Sequence, residues 1–129
     1  MSGAKLDQFA NQKYLNLESY RKTGAAVATP VWFAQQRDEG GDELYIYSLA
    51  EAGKVKRIRN NPRVRVMPCD FRGGSKGDWV EATARIIDGA EADKAQRLLD
   101  KKYGLMKRIG NIYSRIMKRP RAAIAIRLD

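Results

Sequence analysis

The chain has 129 residues, 25 Lys and Arg against 15 Asp and Glu, a formal charge of +10, one cysteine and no histidine. That length suits a single domain over residues 1–129 with a real core, and 43% hydrophobic residues can supply it. A lone cysteine excludes an internal disulfide framework, and the missing imidazole excludes histidine zinc sites and every triad with a histidine base.

Residues 6–24 carry helical spacing. Leu6, Phe9 and Lys13 share a face, Tyr14 and Leu17 lie near it, and Gly24 suits a stop, so one or two short helices are predicted. Residues 25–33, AAVATPVWF, read as a strand with Pro30 inside it. Gly40 and Gly41 then mark a hairpin turn, and ELYIYSL forms a second strand expected to pair antiparallel with the first. Val55 and Ile58, three apart, give the next segment the apolar underside of a helical turn, which Asn60, Asn61 and Pro62 end. RVRVMPCDF is a third strand. DWVEATARIID is a fourth, with Val80, Ala82, Ala84 and Ile86 on one face.

GAEADKAQRLLDKKYG reads as a helix whose acidic start and basic end match the helix dipole. Leu105, Ile109, Ile112 and Ile116 predict another helix, ended by Pro120, and AAIAIRL closes the chain as a strand. No βαβ alternation, dinucleotide-type glycine loop, internal repeat or domain boundary is evident. The expected fold is mainly β with helices (α+β): an antiparallel sheet closed into a small barrel with helices outside.

Pro30 removes a donor from its strand. The plainer reading is an edge position or a bulge. The sharper one is backbone exposed to a planar polar ligand, with the Thr29 hydroxyl and Val31 amide offered to it and Trp32 bordering it. Lys54, Lys56, Arg57 and Arg59 follow the second strand. On a helical turn Lys54 and Arg57 share a face and could clamp one phosphate, the arginine as a fork and the lysine as a point charge. A solvated basic turn is the plainer alternative. Tyr47 and Ser48 end the preceding strand, and Ser48 could donate to the same phosphate.

A second basic region, from Lys101 to Arg121, flanks the predicted apolar stripe. Nucleic acid, an acidic membrane, a polyanionic cofactor or plain solvent could face it. No nucleic-acid motif supports the first. Cys69 reads as a packing residue, no paired carboxylates suggest acid–base work, and no metal site is expected. With no apolar span or leader-like segment, a soluble cytoplasmic protein is the expectation.

YRKTGAAVATPVWF, LYIYSLAEAGKVKRIRNNPRVRV and CDFRG together resemble the pyridoxamine-phosphate-oxidase-like flavin and deazaflavin proteins. The resemblance runs from about Leu17 to the last strand and points to the small branch that uses the deazaflavin cofactor F420, with FMN as the alternative. It implies an FMN-binding-like split β-barrel, a homodimer with two sites between its subunits, and redox chemistry on a flavin-type ring. Carried over, Thr29, Pro30, Val31 and Trp32 resemble the segment bordering the ring and ribityl chain. Tyr47 and Ser48 resemble the end of the phosphate-facing strand. Lys54, Arg57 and Lys56 resemble the phosphate-binding turn, which Asn60 and Pro62 close. Cys69 and Asp70 would serve the other subunit's site.

The longer pyridoxamine phosphate oxidases carry more substrate-binding arginines near their C-terminus, whereas only Arg127 stands in this last strand, so a different small-molecule substrate is expected. The resemblance implies hydride transfer between F420 and that substrate, with Tyr47 or Tyr113 as a candidate proton donor and the catalytic residues otherwise unassigned. A non-catalytic flavin-binding protein and a basic membrane- or nucleic-acid-surface module are the competing classes.

Overall fold

The computed structural model describes residues 7–10, 12–38, 41–49, 53–103 and 121–128. Its strands are β1 (Tyr14–Tyr20), β2 (Ala26–Trp32), β3 (Ala34–Asp38), β4 (Gly41–Leu49), β5 (Arg63–Cys69), β6 (Val80–Ile87) and β7 (Arg121–Leu128). Helix α1 (Gly53–Asn60) follows β4, and α2 (Gly89–Tyr103) follows β6. The strands form one seven-stranded sheet in the order β2-β1-β5-β6-β7-β4-β3. Every pairing is antiparallel.

The connection between the two edges decides the sheet's shape. β2 and β3 lie at opposite ends of the strand order, yet only Phe33 separates them in the chain. Laid flat, six inter-strand spacings of about 4.8 Å would hold the edges roughly 29 Å apart. The step from Trp32 to Ala34 spans about 7 Å at most. The sheet must therefore curl until its edges meet at Phe33. Phe33 is fully buried at this seam, edge-on to Phe9 with ring centroids 5.8 Å apart, and Lys102 Nζ stands 3.5 Å from its centroid.

Period-two alternation fills the concave side. Leu15 and Leu17 of β1, Val64 and Val66 of β5, Val80, Ala82 and Ala84 of β6, and Ile124 and Ile126 of β7 meet Leu44 and Ile46 of β4 in one cluster. Val55 and Ile58, the underside of α1, join it. The convex side of β4 and β7 is covered by α2. There Tyr45, Ala123 and Ala125 pack with Ala95 and Ile87. Arg85 ties the start of α2 to the sheet, reaching Glu91 at 2.7 Å and Glu43 at 3.1 Å.

Two expectations are corrected. Residues 14–20 are a strand, not helix. The three- and four-residue spacing of Leu6, Phe9, Lys13, Tyr14 and Leu17 coexists with a period-two pattern, and pairing on both sides with β2 and β5 selects the latter. Both faces of β1 are covered, so its polar side chains carry their own partners. Asn16 donates to the Gly73 carbonyl at 2.8 Å, and Glu18 accepts from Arg65 at 2.8 Å. The second correction concerns the hairpin. β4 pairs with β3 and β7, while β2 pairs with β1. The strand expected over 25–33 breaks at Phe33, and residues 34–38 form the actual hairpin partner. The helix expected over 105–120 lies outside the described residues.

Candidate cofactor site

The turn between β1 and β2 is tightly built. Arg21 N–H donates to the Ala25 carbonyl at 2.9 Å, and Gly24 N–H donates to the Arg21 carbonyl at 2.8 Å. Gly24 has φ of 90°, a left-handed conformation that a side chain disfavours. The turn thereby presents Arg21, Lys22 and Thr23 at the surface.

Helix α1 faces that turn. Its burial of Val55 and Ile58 forces Lys54, Lys56, Arg57 and Asn60 onto its remaining surface. Arg57 is turned toward the sheet, where its Nε donates a 2.7 Å hydrogen bond to Ser19 Oγ. Its guanidinium also folds over Gly53, where a Cβ would stand 2.7 Å from Nη1. Turn and helix border an open cleft of about 420 Å³, lined by Tyr20, Arg21, Lys22, Thr23, Gly53, Lys56, Arg57 and Asn60.

Among the described residues no carboxylate lines the cleft. Burial, and then the charge of Arg21, lower the pKa of Arg57. Burial, and then Arg57, lower that of Lys54. Cations that are partly desolvated and repel one another are destabilised. An anion in the cleft would reverse both effects.

The residues singled out from the sequence fall into three places. Lys56, Arg57 and Asn60 line the cleft, and Lys54 sits on the same helix. Thr29, Val31 and Ser48 turn toward the concave side. Thr29 lies opposite Leu17, Val31 opposite Leu15, and Ser48 two residues beyond Ile46. Thr29 Oγ1 is buried and has no hydrogen-bond partner among the described residues. Such an atom ordinarily costs stability unless something satisfies it.

Trp32 and Tyr47 meet elsewhere, packing with Ala34, Leu98 and Leu99 beneath α2. The Tyr47 hydroxyl donates to the Ala92 carbonyl at 2.6 Å, which commits it to holding the helix. Pro30 is exposed on β2, an edge strand of the sheet formed by the described residues, where a missing N–H is cheap. Ser19, Arg21, Lys22 and Gly53 were not foreseen. For Ser19, the signal was the period-two pattern masked by the helical reading.

Cys69 is buried at the end of β5. Its thiol is pushed up to about 11 by burial and by the neighbouring Asp70 charge, so it packs as an inert group. The Asp70 carboxylate accepts the N–H groups of Arg72 and Gly74 at 2.9 and 2.8 Å, building the turn after β5. Tyr113 lies outside the described residues.

The donor set of the cleft, an arginine fork with lysines and an asparagine amide, suits a phosphate ester. The Thr29 hydroxyl, without a partner among the described residues, adds a donor on the concave side. The sequence model of the Pyridoxamine 5'-phosphate oxidase family matches residues 2–129. The chain belongs to that family.

Solved structures of the same fold include a FAD-binding protein of Mesorhizobium loti, with 16% identity, a TM-score of 0.63, and 100% of this chain and 88% of that one covered. HutZ, the heme storage protein of Vibrio cholerae, shares 13% identity at a TM-score of 0.64 over 98% of this chain and 89% of its own. Campylobacter jejuni ChuZ reaches a TM-score of 0.70 at 15% identity, covering all of this chain but 54% of ChuZ. Among curated proteins none matches the chain. Membership of the pyridoxamine 5'-phosphate oxidase family fits the curled antiparallel sheet, and no described helix is long and apolar enough to cross a membrane.

Proposed function

We propose that this member of the family is an oxidoreductase that holds a phosphorylated flavin-type cofactor, with the phosphate at the cleft between α1 and the β1–β2 turn. The observation that carries the reading is Arg57. It is anchored by Ser19, folded over Gly53, and placed among cations with no lining carboxylate among the described residues. Arg57 and Lys56 bind the phosphate in the cleft, and Lys54 on the same helix adds its charge nearby. Asn60 supplies an amide at the same cleft, and Thr29 offers a hydroxyl that has no partner among the described residues to the remainder of the cofactor. Ser48, next to last in the strand leading to α1, adds a hydroxyl on the concave side.

When bound, the ring supplies hydride transfer, and the chain's contribution is to hold it and exclude competing reactions. FMN is the choice supported by membership of the family. F420 rests on the motif resemblance and on the +10 charge, which suits a cofactor with a carboxylate tail. The homodimer with sites between subunits, and an unidentified small organic substrate, belong to the same proposal.

Fluorescence titration of the purified protein with FMN and with F420 tests it. Saturable binding that inorganic phosphate displaces is expected. Failure of both cofactors to bind would overturn it.

A further inference from the structure

The end of β2 away from the basic cleft leads to a second hollow. There the two sheet edges meet at Phe33, and α2 packs against β3 through Ala34, Leu98 and Leu99. The hollow is open, about 400 Å³ in volume, and lined by Phe9, Ala34, Gln35, Leu98, Lys101 and Lys102. That volume is in the range of small-molecule sites. Lys102 Nζ stands 3.5 Å from the centroid of the buried Phe33 ring, so one side of the amine rests on an aromatic face. The residue is nevertheless exposed, which leaves it within reach of a small molecule.

A lysine in water is a poor nucleophile because nearly all of it is protonated. Partial desolvation brings Lys102 down to about 8. At pH 7 roughly a tenth of it is then neutral, against about one part in three thousand for a lysine at 10.5. Amines desolvated beside apolar groups are the ones suited to Schiff-base chemistry. Lys101 is the other charged group lining the hollow among the described residues.

We propose that Lys102 captures aldehydes as a reversible Schiff base, and that the hollow selects aldehydes with an apolar body and an anionic group. The Nζ lone pair bonds to the carbonyl carbon, and a proton passes from nitrogen to the carbonyl oxygen through solvent to give a carbinolamine. Its hydroxyl takes a proton from solvent and leaves as water, and the nitrogen becomes a protonated imine. Nothing is oxidised or reduced. The imine keeps a cation above the Phe33 ring, so the cation–π contact survives the reaction. Acylation would erase that charge, which is why the geometry favours a carbonyl compound over an acyl donor. Phe9, Ala34 and Leu98 pack the body of the aldehyde, and Lys101 pairs with its anionic group. The site does not depend on the cofactor proposed above.

The test incubates the full chain with 4-carboxybenzaldehyde or with benzaldehyde between pH 6.5 and 10.5. Borohydride then traps the imines, and peptide mass spectrometry maps the modified lysines. At pH 7 Lys102 should be modified at least about tenfold more than any other lysine, and its occupancy should be half-maximal near pH 8. The carboxylated probe should be favoured about two- to fivefold, the worth of an exposed ion pair, and Lys101→Ala should remove that preference. Lys102→Arg, which keeps a cation but not a nucleophile, should abolish the selective modification and leave the circular dichroism unchanged. Modification spread evenly over the lysines, or a Lys102 profile that rises only near pH 10, would overturn the proposal. Equal uptake of the two aldehydes by the unmodified protein would overturn the selectivity.

Discussion

Arg57 Nε donates a 2.7 Å hydrogen bond to Ser19 Oγ, joining α1 to the strand whose turn faces it across the cleft. This contact fixes the guanidinium before any anion arrives. Preorganisation of that kind reduces the entropy lost on binding.

Gly53 sits beneath that guanidinium, and its replacement separates stability from binding. Gly53 opens α1, so Gly53→Ala should gain only part of the ~1 kcal/mol that the change is worth in a helix interior. The new Cβ would collide with Arg57 Nη1, the end of a flexible side chain that can move aside. Thermal melting should therefore show an unchanged or raised midpoint. FMN titration should show weaker binding. A lowered midpoint with unaltered binding would contradict this geometry.

Thr29→Val should behave in the same divided way. The substitution removes a buried hydroxyl without a partner among the described residues and keeps the side-chain shape. The unliganded protein should lose nothing and could gain up to about 1–3 kcal/mol, the cost of an unsatisfied buried group. Cofactor affinity should fall. Urea denaturation without ligand, set beside a binding titration, checks both signs.

Phe33 closes the sheet, so Phe33→Ala should be severe. The ring is fully buried against Phe9 at the junction of the two edge strands. Phe-to-Ala substitutions in cores cost about 3–5 kcal/mol. Chemical denaturation should report a loss of that order, and a loss under about 1 kcal/mol would show that the seam is held elsewhere.

Lys102 gives a pH dependence. Lys102 is exposed as a residue, but partial desolvation of its ammonium over Phe33 lowers its pKa from 10.5 to about 8, a shift that the cation–π contact with that ring partly offsets. Between about pH 8 and 10.5 the unfolded chain binds a proton that the folded chain has lost, so this group's contribution to stability rises with pH. Below that window its charged form is a constant burden. Lys102→Met should therefore be more stable than the unmodified protein at pH 7, and the gap should narrow toward pH 10. Urea midpoints across that range measure it, and a gap that widens would reverse the sign.

Much of the fold was legible because period-two alternation survives wherever one face is buried. Val80, Ala82 and Ala84 announced β6, and Val55 with Ile58 announced α1. β1 was hidden because both of its faces are covered. Buried Asn16 and Glu18 look like solvent-facing residues until Gly73 and Arg65 are seen to satisfy them. The break at Phe33 was invisible for another reason: local sequence does not say that two halves of one run join opposite sheet edges.

At the site, the basic turn around Arg57 could be read from helical spacing alone. Arg21 and Lys22 could not, because their approach to α1 depends on the pairing of β1 with β2. Trp32 and Tyr47 were grouped with the site by the family resemblance; in this chain they pack with Ala34, Leu98 and Leu99, and the Tyr47 hydroxyl donates to the Ala92 carbonyl.

The central claim is that Arg57 binds the phosphate of a flavin-type cofactor. The most direct measurement is the ratio of riboflavin to FMN dissociation constants, taken for the unmodified protein and for Arg57→Ala. These ligands share the ring and the ribityl chain and differ in the phosphate. The account predicts that the unmodified protein favours FMN by about ten- to a hundredfold, the worth of a charge-assisted hydrogen bond, and that Arg57→Ala brings the ratio close to one. A ratio near one in the unmodified protein, or a large ratio untouched by the substitution, would contradict it.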